Sequence, residues 1–166
     1  TTPGHANAIP GLTMAWHMEA PVINIVGSAE QSRLGQGAAQ EIDQVGMAKP
    51  VTKGAWMVTD ARRIPEFFAR AFRTALTGRR GPVHLTIPLD VQQAEVDGDT
   101  VRFYDPREYR PMGQVSGDPE SVCQAVELLQ GARRPIALAG NGAFSASQDD
   151  LQRLIETTRI PLFTEE

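Results

Sequence analysis

A few residues of this sequence have types and spacing that commonly bind phosphates. Residues 140–142 (GNG) lie between an apolar stretch and a helical pattern, where backbone N–H groups can approach a diphosphate. Ser145 replaces the third glycine of a dinucleotide fingerprint, so we favour a simple tight turn over a phosphate site here. Arg79 and Arg80 are also candidates, because they could bind an anion or cap the C-terminus of the preceding helix.

Gln40 and Glu41 are the candidate donors and acceptors of a second region. They lie in a segment of small and polar residues, 28–46, that is too long to be a mere connector. Long loops inside compact domains often bind ligands, although a polar surface turn is an equally acceptable interpretation.

Other reactive side chains do not form a recognisable site. His5, His17 and His84 have no metal-ligand spacing relative to one another or to Cys123, so a zinc site is not expected. The sequence has no Gly-x-Ser-x-Gly nucleophile motif. We interpret Cys123, on an amphipathic helix, as a packing residue rather than a nucleophile.

The composition excludes several classes of protein. The 166 residues carry a formal net charge of −4 at pH 7 and include a single cysteine. This balance argues against a nucleic-acid module, which is usually basic. No apolar run approaches the roughly 18 residues of a membrane span, and the lone cysteine favours a reducing, cytoplasmic compartment without a disulfide framework. The sequence shows no signal peptide, and we expect it to be an internal part of a longer protein.

Helical spacing near the start of the sequence predicts a first helix from about Ala8, because Pro10 is tolerable only near a first turn. The nearly continuous apolar run at residues 22–26 predicts a strand buried on both faces. A short helix is expected at residues 40–45, and a second apolar stretch follows at 51–58.

The clearest helix of the sequence is predicted at residues 63–76, where apolar side chains line one face. Asp60 is its expected N-terminal cap and Gly78 its expected end. A strand follows at residues 83–87, and this alternation of helices and strands predicts an α/β fold with a parallel sheet.

The second half of the sequence predicts another α/β unit. Residues 97–118 show little periodicity and are interpreted as an interdomain linker. Asp118 is the expected cap of the helix that follows. The predicted elements are helices at 119–129 and 148–158, strands at 135–139 and 160–163, and a turn at 140–142.

Three blocks of the sequence carry a family resemblance. They are residues 1–7 (TTPGHAN), 40–53 (QEIDQVGMAKPVTK) and 77–90 (TGRRGPVHLTIPLD). In this order and at these separations they resemble the thiamine-diphosphate enzymes of the acetolactate synthase type. That group also includes benzaldehyde lyase, oxalyl-CoA decarboxylase and 2-hydroxyacyl-CoA lyase.

The resemblance implies a specific domain organisation of three-layer αβα domains on parallel sheets. Residues 1–96 would be the C-terminal half of a pyrimidine-binding domain, 97–118 a linker, and 119–166 the start of a Rossmann-like central domain. Thiamine diphosphate is the implied cofactor, with Mg²⁺ held by ligands outside this chain and FAD bound as well in some members. The family's activating glutamate and metal motif lie outside this sequence, so the chain alone is expected to be inactive.

The resemblance also implies roles for individual residues. Pro3, Gly4 and Asn7 match the Pro-Gly-x-x-Asn turn beside the pyrimidine ring, where glycine permits close approach of the backbone to a ligand. Gln40 matches a glutamine that points at the reacting centre. Its amide could hydrogen-bond a developing alkoxide without adding charge.

Three further residues are implied as FAD contacts. Arg79 matches an arginine that contacts FAD in acetolactate synthases, and Gly140 and Gly142 are nearby candidates of lower weight. Lys53 matches a recurrent lysine for which the resemblance supplies no chemical role. No metal ligand is predicted within the chain.

The implied activity is that of a thiamine-diphosphate-dependent transferase or lyase. An acetolactate synthase-like reaction would decarboxylate a 2-keto acid and transfer the two-carbon unit to a second carbonyl. The expected substrate is a 2-keto acid or hydroxyketone, and the expected assembly is a homodimer or homotetramer with the active site between subunits.

Departures from the acetolactate synthase pattern leave alternatives open. Ala39 and Leu89 stand where acetolactate synthases carry Phe and Lys, at positions that line the substrate mouth. A benzaldehyde lyase-like or 2-hydroxyacyl- or oxalyl-CoA lyase activity is therefore the alternative. The non-catalytic alternatives are a nucleotide-binding regulatory α/β module and an assembly surface at residues 28–46.

Overall fold

The chain divides into two units in the computed structural model, which describes residues 2–111, 116–144 and 147–164. The units are Thr1–Met112 and Gly113–Glu166. Across the described ranges, no helix combines the length and the apolar character that a membrane crossing requires.

The first unit is built on a parallel sheet. Its helices are α1 (Thr2–His17), α2 (Gln44–Ala48), α3 (Ile64–Leu76), α4 (Leu89–Gln93) and α5 (Pro106–Tyr109), and its strands are β1 (Ile23–Ser28), β2 (Ala55–Met57) and β3 (Val83–Pro88). Strand β3 lies between β1 and β2 and pairs in parallel with both. Every residue of β3 is buried, which confirms the predicted parallel α/β fold.

The core of the first unit lies between α3 and the sheet. Helix α3 presents buried side chains at helical spacing, including Phe67, Ala71 and Ala75. They pack with Val83 and Leu85 of β3 in one hydrophobic cluster. The predicted helix at 63–76 and strand at 83–87 are confirmed to within one residue at each end.

Two predictions about helix starts are wrong. Helix α1 begins at Thr2 rather than near Ala8 and continues through Pro10. Asp60 caps a short 3₁₀ turn at Ala61–Arg63, where its side chain accepts from the Arg62 N–H, and α3 follows that turn. Local rules failed at α1 because tertiary hydrogen bonds, described below, hold its first turns.

The predicted helix at 40–45 lies later in the chain, as α2. Asp43 is its N-terminal cap, and its side chain accepts a hydrogen bond of 2.7 Å from the Gly46 N–H. The residues before it form an irregular loop that begins with the 3₁₀ turn Gln31–Arg33.

Residues 97–111, interpreted as part of a linker, lie in the first unit. Helix α5 has a capping box formed by Asp105 and Glu108. The Tyr109 ring lies 5.6 Å from that of Phe72 on α3, and the Arg73 guanidinium donates to the Glu108 carbonyl at 3.0 Å.

The second unit is a smaller α/β arrangement. It contains α6 (Pro119–Gly131), β4 (Ala137–Ala139), α7 (Asn141–Phe144), α8 (Gln148–Thr158) and β5 (Leu162–Thr164), and β4 pairs in parallel with β5. Asp118 caps α6 as predicted, since its side chain accepts from the Ser121 N–H. The turn predicted at residues 140–142 is wrong, because helix α7 begins at Asn141. Ser145 lies outside the described residues.

Lys53 stabilises the C-terminal end of α3. Its ammonium group donates to the carbonyl oxygens of Thr74, at 2.5 Å, and Thr77, at 2.6 Å. A cation is favourable at this end of a helix, where carbonyl groups lack partners. A Cβ at Gly81 would lie 3.2 Å from the Lys53 Cδ, so glycine leaves room for the lysine stem. The role of Lys53 in this structure is therefore helix capping.

Replacing Lys53 by methionine should lower the free energy of unfolding by about 1–2 kcal/mol, because two charge-assisted hydrogen bonds are lost. Urea denaturation of the wild type and of Lys53→Met measures this difference. Lys49→Met is the matched control, since Lys49 is exposed. Equal losses in the two variants would contradict the capping role.

Candidate functional site

A buried pair of histidines joins α1 to the sheet. His5 on α1 and His84 on β3 stack with ring centroids 4.5 Å apart. Asn24 on β1 lies between them, and its Nδ2 atom is 3.2 Å from His5 Nδ1 and 2.9 Å from His84 Nδ1. Since an amide nitrogen only donates, both Nδ1 atoms accept, and each neutral ring carries its proton on Nε2.

Gln44 closes this network into a ring of hydrogen bonds. His5 Nε2 donates to the Gln44 carbonyl at 3.0 Å, while His84 Nε2 donates to the Thr86 hydroxyl at 2.8 Å. Thr86 in turn donates to Gln44 Oε1 at 3.2 Å. The Gln44 amide nitrogen donates to the Thr2 hydroxyl at 3.0 Å and to the Gly27 carbonyl at 3.2 Å. We call His5, Asn24, His84, Thr86 and Gln44 the polar ring.

The environment of the polar ring keeps His84 uncharged. Burial lowers the pKa of His84 to about 4, and the neighbouring His5 lowers it further as a second, smaller cause. His84 is completely buried, and its charged form would carry a proton on Nδ1 that faces the Asn24 Nδ2 donor. His84 is therefore a neutral hydrogen-bonding partner at pH 7 and not a general acid or base.

The polar ring holds the first turn of α1 against the start of α2. Thr2, which precedes the predicted contacts Pro3 and Gly4, is bonded directly to Gln44. Sequence reasoning did not select Gln44, although it lies in one of the three motif blocks. What distinguishes Gln44 is that its side chain is buried and hydrogen-bonded to motif residues more than 40 positions away in the sequence.

Pro3, Gly4 and Asn7 lie in the first two turns of α1 and are exposed. The turn predicted for them is therefore wrong, since they are helical. Pro3 and Asn7 are four residues apart and share one face of the helix. A Cβ built on Gly4 would meet no atom within 4 Å, so the backbone here is open to close approach.

Gln40 lies in the loop between β1 and α2, and its side chain is exposed. Its φ angle of 62° places it in the left-handed region, which is unusual for a residue other than glycine. Within the described ranges of the chain, no group forms a hydrogen bond with the Gln40 amide. Gln44, four residues after Gln40 in the sequence, is held by the polar ring. The loop that carries Gln40 therefore ends at a point where α2 is bonded to the N-terminus of α1.

Arg79 lies at the opposite end of α1. Its Nε atom donates to Glu19 at 3.0 Å, and its guanidinium lies 5.5 Å from the centroid of the Trp16 ring. A 16-residue helix is about 24 Å long, so Arg79 is far from Pro3 and Gly4. The predicted capping of the preceding helix by Arg79 is wrong, because Lys53 caps that helix.

The remaining candidates belong to the second unit. Gly140 and Gly142 belong to the second unit, and Gly142 lies in α7. Cys123 is exposed on α6. Among the residues that the structure describes, no group of three or more His, Cys, Asp or Glu side chains could hold a metal ion.

Comparison with known proteins finds relatives over nearly the whole chain. Residues 1–47 match the family model described as "Thiamine pyrophosphate enzyme, N-terminal TPP binding domain". The chain is 36% identical over 166 residues to the "Probable acetolactate synthase large subunit" of Methanocaldococcus jannaschii, covering 98% of this chain and 28% of that protein.

Two relatives carry other activities in their names. They are the 2-hydroxyacyl-CoA lyase of Arabidopsis thaliana, at 35% identity over 96% of this chain, and the oxalyl-CoA decarboxylase of Escherichia coli, at 33% over 97%. The chain spans 28% and 29% of their respective lengths.

Acidification should weaken the fold through His84. Its pKa is about 4 when folded and about 6.5 when unfolded, so the unfolded state binds more protons between these values. Stability is then full above pH 6.5 and falls as the pH drops toward 4. From pH 8 to pH 5 the loss due to this residue should be about 2 kcal/mol.

Denaturant titrations of the wild type and of His84→Asn at pH 8 and pH 5 measure this loss. The variant should show a smaller difference between the two pH values, whatever its absolute stability. The matched control is His17→Asn, because His17 is an exposed histidine of α1. If the free energy of unfolding of His84→Asn depends on pH as strongly as that of the wild type, protonation of His84 does not cause the loss of stability at low pH.

Proposed function

We propose that this chain, a member of the thiamine pyrophosphate enzyme family, contributes the pyrimidine-binding part of an acetolactate synthase-like enzyme. The proposed reaction decarboxylates a 2-keto acid and transfers the two-carbon unit to a second carbonyl. Several relatives are acetolactate synthase large subunits by name, which supports this choice. In this proposal residues 1–96 belong to the pyrimidine-binding domain and residues 119–166 begin the central domain.

One observation carries the proposal. The hydrogen bond between Thr2 and Gln44 ties the N-terminus of α1 to the start of α2. The family model matches residues 1–47, a segment that includes both partners of this bond. This bond supports the proposal that Pro3, Gly4 and Gln40 contribute to one site, since each lies within four residues of one of its partners.

The residues at the α1 N-terminus fit an aromatic ring lying on exposed backbone. Pro3, Gly4 and Asn7 would contact the aminopyrimidine, with the open space at Gly4 allowing close approach. Thiamine diphosphate, when bound, supplies a C2 carbanion that adds to the substrate carbonyl. The chain's own part is to hold the ring and to exclude misplaced substrates.

Gln40 would act on the substrate oxygen. Its exposed amide N–H can donate a hydrogen bond to an oxygen that gains negative charge as the carbonyl is attacked. A neutral donor stabilises this charge without attracting a competing anion to the site. The left-handed backbone at Gln40 directs a side chain that makes no competing contact among the described residues.

Mg²⁺ is proposed to bind through residues outside this chain. Mg²⁺ takes carboxylate and carbonyl oxygens together with the phosphates of its ligand, and the family resemblance assigns these protein ligands to a domain outside this sequence. The proposed assembly is a homodimer or homotetramer with the active site between subunits, in the cytoplasm. Sedimentation of the full-length protein tests the assembly.

FAD enters the proposal through the resemblance, and Arg79, the basic residue implied as its contact, already has partners within the first unit. The Arg79 guanidinium is paired with Glu19 and stacked on Trp16. No catalytic step is assigned to FAD. The visible absorbance spectrum of the purified full-length protein decides whether a flavin is bound.

The second candidate function is that of a 2-hydroxyacyl-CoA or oxalyl-CoA lyase, or a benzaldehyde lyase-like enzyme. Ala39 beside Gln40 is smaller than the Phe of acetolactate synthases, and Leu89 after β3 is apolar and exposed. Relatives with acyl-CoA substrates in their names match at similar identity. Steady-state rates with pyruvate, a 2-hydroxyacyl-CoA, oxalyl-CoA and benzoin distinguish these activities.

Replacing Gln40 by alanine should lower kcat of the full-length enzyme by about 10- to 100-fold, since one transition-state donor is lost. The affinity for thiamine diphosphate should change less than about twofold. Gln36→Ala is the matched control in the same loop, because among the described residues the Gln36 side chain bonds only to the Ser32 carbonyl.

An unchanged kcat in Gln40→Ala would remove Gln40 from the reaction. Turnover of pyruvate, a 2-hydroxyacyl-CoA, oxalyl-CoA and benzoin by the wild-type enzyme without thiamine diphosphate would overturn the proposed function itself. The two failures are separated by assaying the wild type first, with and without the cofactor.

Gly4→Ala separates ligand contact from folding. A methyl group at Gly4 or at Gly11 meets no protein atom within 4 Å, and both positions are helical. Both alanine variants should therefore raise the free energy of unfolding, by up to about 1 kcal/mol. Gly4→Ala alone should raise the Kd of thiamine diphosphate, by about tenfold, because the methyl group occupies the space of the ring.

Isothermal titration of the full-length protein with thiamine diphosphate and Mg²⁺ measures these affinities. Gly11→Ala is the internal control on the same helix. Equal affinity in both variants would show that the cofactor does not lie against Gly4.

A further inference from the structure

We propose that Glu41 is a positioning residue that holds Gln40 in its left-handed conformation. This inference rests on the proposed function of Gln40. It assigns to Glu41 a role through the loop backbone and not through contact with the substrate.

The Glu41 carboxylate is bonded to the loop that precedes it. One oxygen accepts from the Gly35 N–H, and the other accepts from the Ala38 N–H at 3.1 Å. The Glu41 N–H donates back to the Ala38 carbonyl at 3.0 Å. Because both carboxylate oxygens are engaged with backbone amides, Glu41 is poorly placed to act as a general base.

The backbone that these bonds enclose is unusually bent. Gly35, Gly37 and Gln40 have φ angles of 78°, 72° and 62°. Glycine adopts this region freely, but a glutamine there costs about 1 kcal/mol or more. Such a conformation persists where the surroundings determine it, and the Glu41 bonds are the contacts that close this turn.

Both ends of the loop are fixed to the first unit. At the start, the Gln31 backbone and side-chain N–H groups each donate to Asp90 at 3.1 Å, and its side chain also donates to the Thr59 carbonyl. At the end, Asp43 caps α2 and Gln44 belongs to the polar ring. Between these anchors, Glu41 supplies the side-chain bonds to Gly35 and Ala38.

The first test compares kcat of Glu41 variants in the full-length enzyme. Glu41→Gln can accept through one oxygen only, and Glu41→Asp is too short to reach both amides. Each should lower kcat by about tenfold, because a displaced donor loses its alignment. The Kd of thiamine diphosphate should stay within about twofold. Glu95→Gln, at an exposed carboxylate of the same unit, should retain wild-type kcat.

The two variants also separate geometry from charge. Glu41→Asp keeps the negative charge, so full activity in Glu41→Asp with a loss in Glu41→Gln would assign the effect to charge and overturn the positioning role. Circular dichroism and the cofactor titration verify that each variant is folded.

The second test is a double-mutant cycle with Gln40→Ala. If Glu41 acts through Gln40, Glu41→Gln should change kcat less than about twofold once Gln40 is alanine. Equal effects of Glu41→Gln in both backgrounds would overturn the proposal.

Amide hydrogen exchange supplies a readout that does not depend on activity. In Glu41→Gln the Gly35 and Ala38 amides should exchange about tenfold faster, while the amides of β3 stay protected. Unchanged exchange at Gly35 and Ala38 would overturn the proposal even if kcat falls. If the wild type lacks thiamine-diphosphate-dependent activity, the proposed function fails, and this exchange measurement alone decides whether Glu41 holds the loop.

Discussion

The first unit depends on a buried polar ring that must be complete to be stable. Its hydrogen bonds run from Asn24 through His5, His84 and Thr86 to Gln44, and no buried side-chain N or O atom of the described residues lacks a partner. A buried polar group without a partner destabilises the fold by about 1–3 kcal/mol. Removing one member of the ring would therefore lower the free energy of unfolding, because its neighbour would lose a hydrogen-bond partner. The ring links α1, β1, β3 and α2, which fixes helix positions that apolar packing alone would leave adjustable.

Elements held by interactions between residues close in the sequence could be predicted, whereas those held by interactions between distant residues could not. The bounds of helix α3 and strand β3 were predicted closely, because the apolar residues that reveal each element in the sequence are also the residues that form the core. The start of α1 was not, since its first turn is held by bonds from His5 and Thr2 to Gln44, across 39 and 42 residues. Local rules on proline cannot include contacts made at that distance along the chain.

The basic residues show the same limit at the candidate site. Arg79 and Lys53 both reach helix C-termini, but which helix each one reaches depends on the loops between them. Lys53 bonds to the last carbonyls of α3, while Arg79 pairs with Glu19 just beyond α1. The family resemblance identified both positions, yet only the packing distinguishes a structural cap from a cation available to a ligand.

Gln40 and Gln44 show how one residue type serves two purposes within five positions. The Gln44 side chain is buried, and both of its amide N–H groups donate to protein partners, so it has no donor left for a substrate. Gln40 is exposed, lies in a strained conformation and keeps its amide uncommitted among the described residues. The Glu41 bonds to Gly35 and Ala38 close the turn in which Gln40 adopts this conformation, while Gln44 anchors the end of the same loop in the polar ring.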